Sequence, residues 1–347
     1  MDMWRYDLQD NLRGVEKLFV KITQVNKIVL VGHVNPDGDC IGSITGLGGY
    51  LKDCCGKNIT LVVPNEVPQF LKFLSHDMNL YSYNIHKEEV HSALESADMI
   101  ICMDLNSLKR MDDLGAAIQG CGAYKALIDH HPNPDDTFDL VYSYPQSSST
   151  CELAYWIIKE LIQIGGENIQ MPYNVALSLY TGMMTDTNNF ANSVLPSTFR
   201  MASELIAYGI DKDKLQGMVF GGYSESRMRL MGDMLLNKMT IYNNLGASVM
   251  VITKEDKAKY NFAKGDSEGF VNLPLNIKDI HISALFTEDD DYIRVSLRSK
   301  DDFPVNKLSN QYFNGGGHQR AAGGKLAMAI GDVEEYFVKC LTEFKQL

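Results

Sequence analysis

The sequence has no uninterrupted apolar run of the ~18–20 residues that a bilayer-spanning helix needs, so no membrane segment is predicted. Its opening residues, Met1-Asp2-Met3-Trp4-Arg5, lack the basic stretch and apolar run of a secretory leader. Its seven cysteines are odd in number, scattered apart from Cys54 and Cys55, and form no C-x-x-C pair. That usage suits reduced thiols. Together these absences predict a cytoplasmic protein with no membrane partner. Two enzyme signatures are also missing: the G-x-S-x-G nucleophile elbow and the P-loop G-x-x-x-x-G-K-[ST]. The glycines at Gly42, Gly46, Gly48 and Gly49 do not fit G-x-G-x-x-G and are read as close-packing positions on a helix. Positive charge is scarce too: 32 Lys and Arg against 44 Asp and Glu give a net charge of −12. Tight binding to long nucleic acid depends on neutralising many phosphates, so a long-polymer binder is disfavoured. A short or mononucleotide ligand is compatible with the charge, because local cations can overcome a global repulsion.

What remains is an ordinary globular composition over 347 residues, comfortable for two domains and a core that needs no disulfide or metal staple. The first half alternates β-rich runs with helical patterns. Strands are predicted at Lys27–Gly32, Ile59–Val63, Met99–Met103, Ala126–Ile128 and Leu140–Tyr142. Helices are predicted at Asp39–Leu51, Glu88–Glu95, Cys151–Ile164 and Tyr173–Met184. Such alternation implies an α/β fold, a parallel sheet flanked by helices, with ligands bound beyond the carboxyl ends of the strands. Ser197 to Met239 reads as a helical connector. Beyond it, strands at Ser248–Thr253, His281–Phe286 and Tyr292–Leu297, a glycine-rich loop and a final helix Val333–Phe344 predict a second, smaller α/β domain.

Chemistry-bearing residues fall where these strands and helices end. His33-Val34-Asn35-Pro36-Asp37-Gly38-Asp39 follows the first strand and holds three potential metal ligands within seven residues. An EF-hand loop is excluded, because it needs Glu at its twelfth position, and counting from Asp37 that position is Gly48. Asp104 ends the strand Met99–Met103. Asp129-His130-His131 ends the strand at Ile128. Asp186 closes an apolar helix, where an acid opposes the helix dipole and calls for another partner, such as a cation. Each segment alone has a plainer reading: a solvated Asp/Gly turn, an N-cap at Asp104, a polar surface loop at 129–131. Brought to one sheet edge they do not stay plain. Two like charges ~4 Å apart cost about 4 kcal/mol at an effective dielectric of 20, so Asp37, Asp39, Asp104 and Asp186 together would take up protons or be resolved by divalent cations. Asp and His donors without thiolates favour manganese or magnesium over structural zinc. About six donors suffice for two metals ~3.5–4 Å apart sharing one carboxylate. In the second domain, Gly315-Gly316-Gly317-His318 offers backbone N–H groups for close approach to a phosphate or base. Arg298-Ser299-Lys300 offers a guanidinium. The plainer reading of both is a mobile, incidentally charged loop.

The ordered set His33-x-x-Pro36-Asp37-x-Asp39-x-x-Gly42-Ser43, Asp104, Asp129-His130-His131 and Thr181-Gly182-x-x-x-Asp186 resembles the DHH phosphoesterase superfamily. Gly315-Gly316-Gly317-His318 with Ala321-Ala322-Gly323 resembles its associated C-terminal substrate domain. The resemblance implies a catalytic domain over residues 1–196, a helical linker over 197–239 and a substrate-binding domain over 240–347. Size and domain content resemble the oligoribonuclease (nanoRNase) and 3′-phosphoadenosine 5′-phosphate (pAp) phosphatase group, acting on short RNA or nucleotides with two divalent ions, manganese before magnesium. A cyclic di-AMP or pApA phosphodiesterase and a catalytically silent nucleotide-binding regulator are the alternatives. The oligomeric state stays open, a homodimer included. The implied roles are His33, Asp37 and Asp104 on one metal, and Asp39, the shared Asp104, His130 and Asp186 on the other. A water between them is the implied nucleophile, His131 lies beside the attacked phosphate, and Asp129 orients the histidines. Arg298, Ser299, His318 and the Gly315, Gly316 and Gly317 loop would hold the substrate's far end, and Arg110 a phosphate.

Overall fold

The computed structural model describes residue 8 and residues 12–166, 169–221, 223–263 and 265–346; for Arg110, Asp112 and His318 it describes the backbone only. The chain divides into two compact units, Met1–Gly221 and Gly222–Leu347.

The first unit is built on six parallel strands: β1 (Lys27–Val31), β2 (Asn58–Val63), β3 (Leu80–Ser82), β4 (Met99–Met103), β5 (Tyr124–Asp129) and β6 (Leu140–Ser143). Their spatial order is β3-β2-β1-β4-β5-β6. The central strands are apolar along their length, as KIVLV and MIICM, because helices cover both faces of a parallel sheet. The chain steps outward from β1 through β2 to β3, then returns to place β4 on the other side of β1. That reversal opens a crevice at the carboxyl ends of β1 and β4.

The helices of this unit are α1 (Val15–Gln24), α2 (Gly38–Asp53), α3 (Lys87–Glu95), α4 (Asp112–Gly120), α5 (Thr150–Gly165), α6 (Tyr173–Asp186), α7 (Pro196–Ile206) and α8 (Lys212–Val219). Helices α2 and α6 cross at backbone distance. A Cβ at Gly42 would meet the Ser178 carbonyl oxygen at 2.6 Å, and one at Gly182 would strike the Cys151 sulfur and the Asp39 backbone. This close crossing brings the start of α2 and the end of α6 beside the crevice.

The second unit holds a mixed sheet in the order β11-β12-β10-β9-β8-β7. Its strands are β7 (Met239–Tyr242), β8 (Ala247–Ile252), β9 (Ile282–Glu288), β10 (Ile293–Ser299), β11 (Gly316–His318) and β12 (Ala321–Leu326). Only β8 and β9 pair in parallel. Its helices are α9 (Glu225–Asn237), α10 (Lys254–Lys259), α11 (Val305–Tyr312) and α12 (Val333–Lys345). Phe286, Phe313 and Phe337, all fully buried, anchor its core.

The predicted connector is three helices with different allegiances. Met201 and Leu205 of α7 and Leu215 and Val219 of α8 join the first unit's core. Leu230 and Met234 of α9 pack with Met250 and Ile252 of β8. One prediction is corrected outright. The glycine-rich stretch is a β-hairpin, with Gly316, Gly317 and His318 paired to Gly323, Ala322 and Ala321. A Cβ on Gly315 would collide with the Gly323 carbonyl, and one on Gly317, which sits at φ +139°, would meet the Ala321 carbonyl oxygen at 2.5 Å. These glycines are demanded by close strand pairing, which a loop would not need. The sequence reading also passes over β3 and β7, edge strands of only three and four residues. Among the described residues, no helix is long and apolar enough to cross a membrane.

Candidate functional site

The crevice of the first unit collects its side chains from five places. The loop after β1 supplies His33 and Asp37. The first turn of α2 supplies Asp39. Asp104 follows β4 directly, Asp129 is the last residue of β5 with His130 and His131 behind it, and Asp186 is the last residue of α6. Asp37 is the N-cap of α2: its Oδ1 accepts from the backbone N–H groups of Asp39 and Cys40, both at 3.0 Å. Asp104 is only 4% exposed and holds a left-handed backbone, φ 60°. A non-glycine residue in that region is uncommon, and such strain concentrates at functional sites.

The donor atoms converge. His33 Nε2 lies 3.2 Å from Asp104 Oδ2 and 3.7 Å from Asp37 Oδ1. His130 Nε2 lies 3.7 Å from Asp104 Oδ1 and 3.7 Å from Asp186 Oδ2. Three donor sets each lie within 4.8 Å: His33, Asp37 and Asp104; Asp39, His130 and Asp186; and Asp104, His130 and His131. Separations of 3.2–3.7 Å are close to what neighbouring ligands of one ion show when each sits about 2.1 Å from it. His131 Nδ1 instead donates to Asp129 Oδ1 at 2.7 Å. Asp129 is fully buried, and its Oδ2 has no hydrogen-bond partner among the described residues.

The electrostatics carry the signature of negative charge held together without neutralisation. Burial, then the carboxylates of Asp104 and Asp186, pushes Asp39 well above the usual carboxylate range. Burial and the carboxylates of Asp104 and Asp37 push Asp186 up to about 7. Burial alone would lower His130, but Asp186, Asp104 and Asp39 outweigh it and raise it to about 9. His33 is likewise raised well above its ordinary value against the cost of burial, by Cys40, Asp104 and Asp37. Burial works against Asp104 as well, yet the histidines around it hold it below the usual range. A cluster in which Asp39, Asp186, His33 and His130 all bind protons more tightly than in water is chemically matched to a divalent cation, which removes the need for those protons.

All six residues expected to ligate metal therefore meet in one place, with His131 and Asp129 beside them. The residues expected to hold the substrate's far end belong to the second unit. Arg298 is half-buried on β10, donates to the Leu297 carbonyl at 3.0 Å, and makes no ion pair among the described residues. Its burial lowers its pKa. Ser299 is 7% exposed, and its hydroxyl donates to the Phe303 carbonyl at 2.7 Å. The side chains of Arg110 and His318 lie outside the described residues. The segment Ser147–Glu152, which makes hydrogen bonds to three of the cluster's residues, was not singled out from sequence. Its only signal is the S-x-x-E pattern of Ser149 and Glu152, a helix-start signature.

Comparison with known proteins places this geometry. Residues 27–183 match the model of the DHH family, N-terminal domain, and residues 246–346 match that of the DHHA1 domain. The chain is 29% identical to the bifunctional oligoribonuclease and PAP phosphatase NrnA of Bacillus subtilis (strain 168), over 89% of this chain and 92% of that one. It is also 29% identical to the protein of the same name from Thermus thermophilus, over 86% of this chain and 84% of that one. A solved exopolyphosphatase-related protein from Bacteroides fragilis is 38% identical, covers 96% of each chain, and superposes with a TM-score of 0.90.

Proposed function

This chain belongs to the DHH family, in the form that pairs a DHH domain with a DHHA1 domain, and from that premise we propose that it hydrolyses phosphoester bonds in short oligoribonucleotides and in 3′-phosphoadenosine 5′-phosphate. The observation that carries the reading is the position of Asp104, whose two oxygens face His33 on one side and His130 on the other. One carboxylate between two donor sets suits two divalent ions, manganese in preference to magnesium, with His33, Asp37 and Asp104 holding one and Asp39, Asp104, His130 and Asp186 the other. Bound there, such ions would lower the pKa of a water and neutralise charge on the phosphoryl oxygens. The chain's own residues do the rest. Asp129 holds His131 Nδ1 and so fixes the ring that donates to the phosphate or to the leaving group. Arg298, a half-buried guanidinium on β10, takes the distal phosphate. The net charge of −12 disfavours long polymers.

The test is hydrolysis by purified protein with manganese, on 3′-phosphoadenosine 5′-phosphate, dinucleotides, cyclic di-AMP and a long single-stranded RNA. Dinucleotides and the nucleotide bisphosphate are the expected substrates. Equal or faster cleavage of the long RNA overturns the short-substrate reading. A clear preference for cyclic di-AMP replaces it with the phosphodiesterase alternative, and no turnover of any of the four with metal bound supports a binding regulator.

A further inference from the structure

The segment Ser147-Ser148-Ser149-Thr150-Cys151-Glu152, between β6 and α5, is almost entirely buried. It contributes no side chain to the candidate metal donors, yet it touches three of them. The Ser147 carbonyl faces His130 Nδ1 at 3.3 Å. The backbone N–H of Thr150 donates to Asp39 Oδ2 at 2.7 Å, and that of Cys151 donates to Asp39 Oδ1 at 2.9 Å. The Thr150 hydroxyl donates to Asp104 Oδ1 at 3.1 Å. So the first turn of α5, where orphan N–H groups and the helix dipole favour an anion, is aimed at Asp39. Ser147 in turn fixes the His130 tautomer that leaves Nε2 toward Asp104 and Asp186.

What fixes the segment is Glu152, whose side chain is fully buried. Its Oε2 accepts from the Ser148 N–H at 3.1 Å, from the Ser148 hydroxyl at 2.5 Å and from the Thr198 hydroxyl of α7 at 2.8 Å. Trp156 Nε1 lies 3.5 Å from Oε1. Ser149 caps α5 by accepting from the Glu152 N–H at 2.9 Å. Burying a carboxylate is costly unless donors surround it, and this one spends its three close hydrogen bonds on pinning a single turn to α7. A helix needing only a cap would be served by Ser149. The extra carboxylate instead sets where Ser147, Thr150 and Cys151 stand.

We propose that Glu152 is a positioning residue for the metal centre, acting through the Ser147–Cys151 turn to hold Asp39, Asp104 and His130 in their ligating geometry. The inference rests on the two-metal reading above, and its test separates the two. Manganese affinity is measured directly by calorimetric titration on the full chain, alongside thermal unfolding and the KM and kcat of hydrolysis. Glu152→Met keeps the side-chain length and removes the acceptors; Glu152→Gln keeps a carbonyl oxygen for the Ser148 and Thr198 donors. The expected result is roughly 10- to 100-fold weaker manganese binding in Glu152→Met, the range seen when groups behind metal ligands are removed. Substantial recovery is expected in Glu152→Gln, with both variants folded. Manganese binding by a folded Glu152→Met within about twofold of the parent chain overturns the proposal. Should Glu152→Met not fold, the Thr150 pair decides: Thr150→Val weakens manganese binding and Thr150→Ser restores it, whereas unchanged binding in Thr150→Val overturns the proposal. Failure of the parent chain itself to bind manganese would overturn the two-metal reading and this inference with it.

Discussion

The two units each fold around six strands and a hydrophobic core, but they differ in the charge they bury. The first buries Asp39, Asp104, Asp129 and Glu152, each no more than 4% exposed. The second buries aromatic rings, with Phe286, Phe313 and Phe337 within 6.2 Å of one another. Its one buried carboxylate among the described residues, Asp256, serves a helix cap and pairs with Lys238 at 3.0 Å. A parallel sheet with a switch point has a crevice to fill, and this chain fills it with charge. The mixed sheet closes on hydrocarbon. The first unit is therefore organised around a charged crevice, and the second around its own packing.

The sharpest cut through that contrast is Asp104→Asn. Asparagine tolerates the left-handed backbone at φ 60° better than most residues, so the fold should survive. The carboxylate between the two donor sets is lost. Turnover should fall by about 10³-fold or more, a barrier increase of about 4 kcal/mol, while the metal-free protein folds but unfolds at a lower temperature, because His33 and His130 lose the buried carboxylate they pair with. Parent-like kcat in a folded Asp104→Asn chain would remove the functional half of the comparison.

Phe337→Ala asks the same of the other unit. Truncating a fully buried ring that meets Phe286 at 5.8 Å should cost about 3–5 kcal/mol. Urea unfolding should show the loss, and manganese affinity should stay as in the parent. A fall in affinity together with stability would show that the units are not independent in this respect.

Acidity gives the third contrast. In the metal-free protein, Asp186 moves from an ordinary 3.8 up to about 7, and Asp39 is also raised. An acid with a raised folded pKa loses stability as pH climbs from its unfolded to its folded value, because the unfolded chain releases its proton first. His130 moves from 6.5 up to about 9, and His33 is raised as well. A base with a raised pKa stabilises fully below the unfolded value and loses that contribution as pH passes its folded value. All four groups thus point the same way. Asp104, held low, acts oppositely but only at acid pH. Metal-free protein should lose stability steadily between about pH 4 and 9, and saturating manganese should flatten the slope. Thermal unfolding across that range, with and without metal, checks both; a slope of the opposite sign would contradict the charge-crowding picture.

The unequal legibility of the two units has the same cause. His33, Asp37, Asp39, Asp104 and His130 could be read from sequence because parallel strands are apolar until they end, so polar residues past Val31, Met103 or Ile128 stand out, and Asp186 because an acid closes an apolar helix. Glu152 could not be read that way. An acid in the first turn of a helix looks like a surface residue favoured by the dipole, and only the fold reveals that α7 covers it. The hairpin at Gly316–His318 was missed because glycine strands carry no side-chain alternation, and β3 and β7 because three or four edge residues carry too little of it.

Ser299 shows the same difficulty on the smallest scale, and it yields the smallest predicted effect. It stands beside Arg298 on β10, and the family resemblance implied that both hold the substrate's far end. Successive residues on a strand face opposite sides of the sheet. Ser299 turns to the buried side and closes on the Phe303 carbonyl, while Arg298 stays half-exposed. Removing the hydroxyl leaves that acceptor short of a partner, at a cost of about 1 kcal/mol, so Ser299→Ala should lower the unfolding midpoint slightly and leave KM where it was. Arg298→Ala should do the reverse, raising KM by about tenfold, as loss of one charged phosphate contact would, with little change in the midpoint. If Ser299→Ala raises KM as Arg298→Ala does, the two residues act together on substrate and the alternation of the strand has been given too much weight.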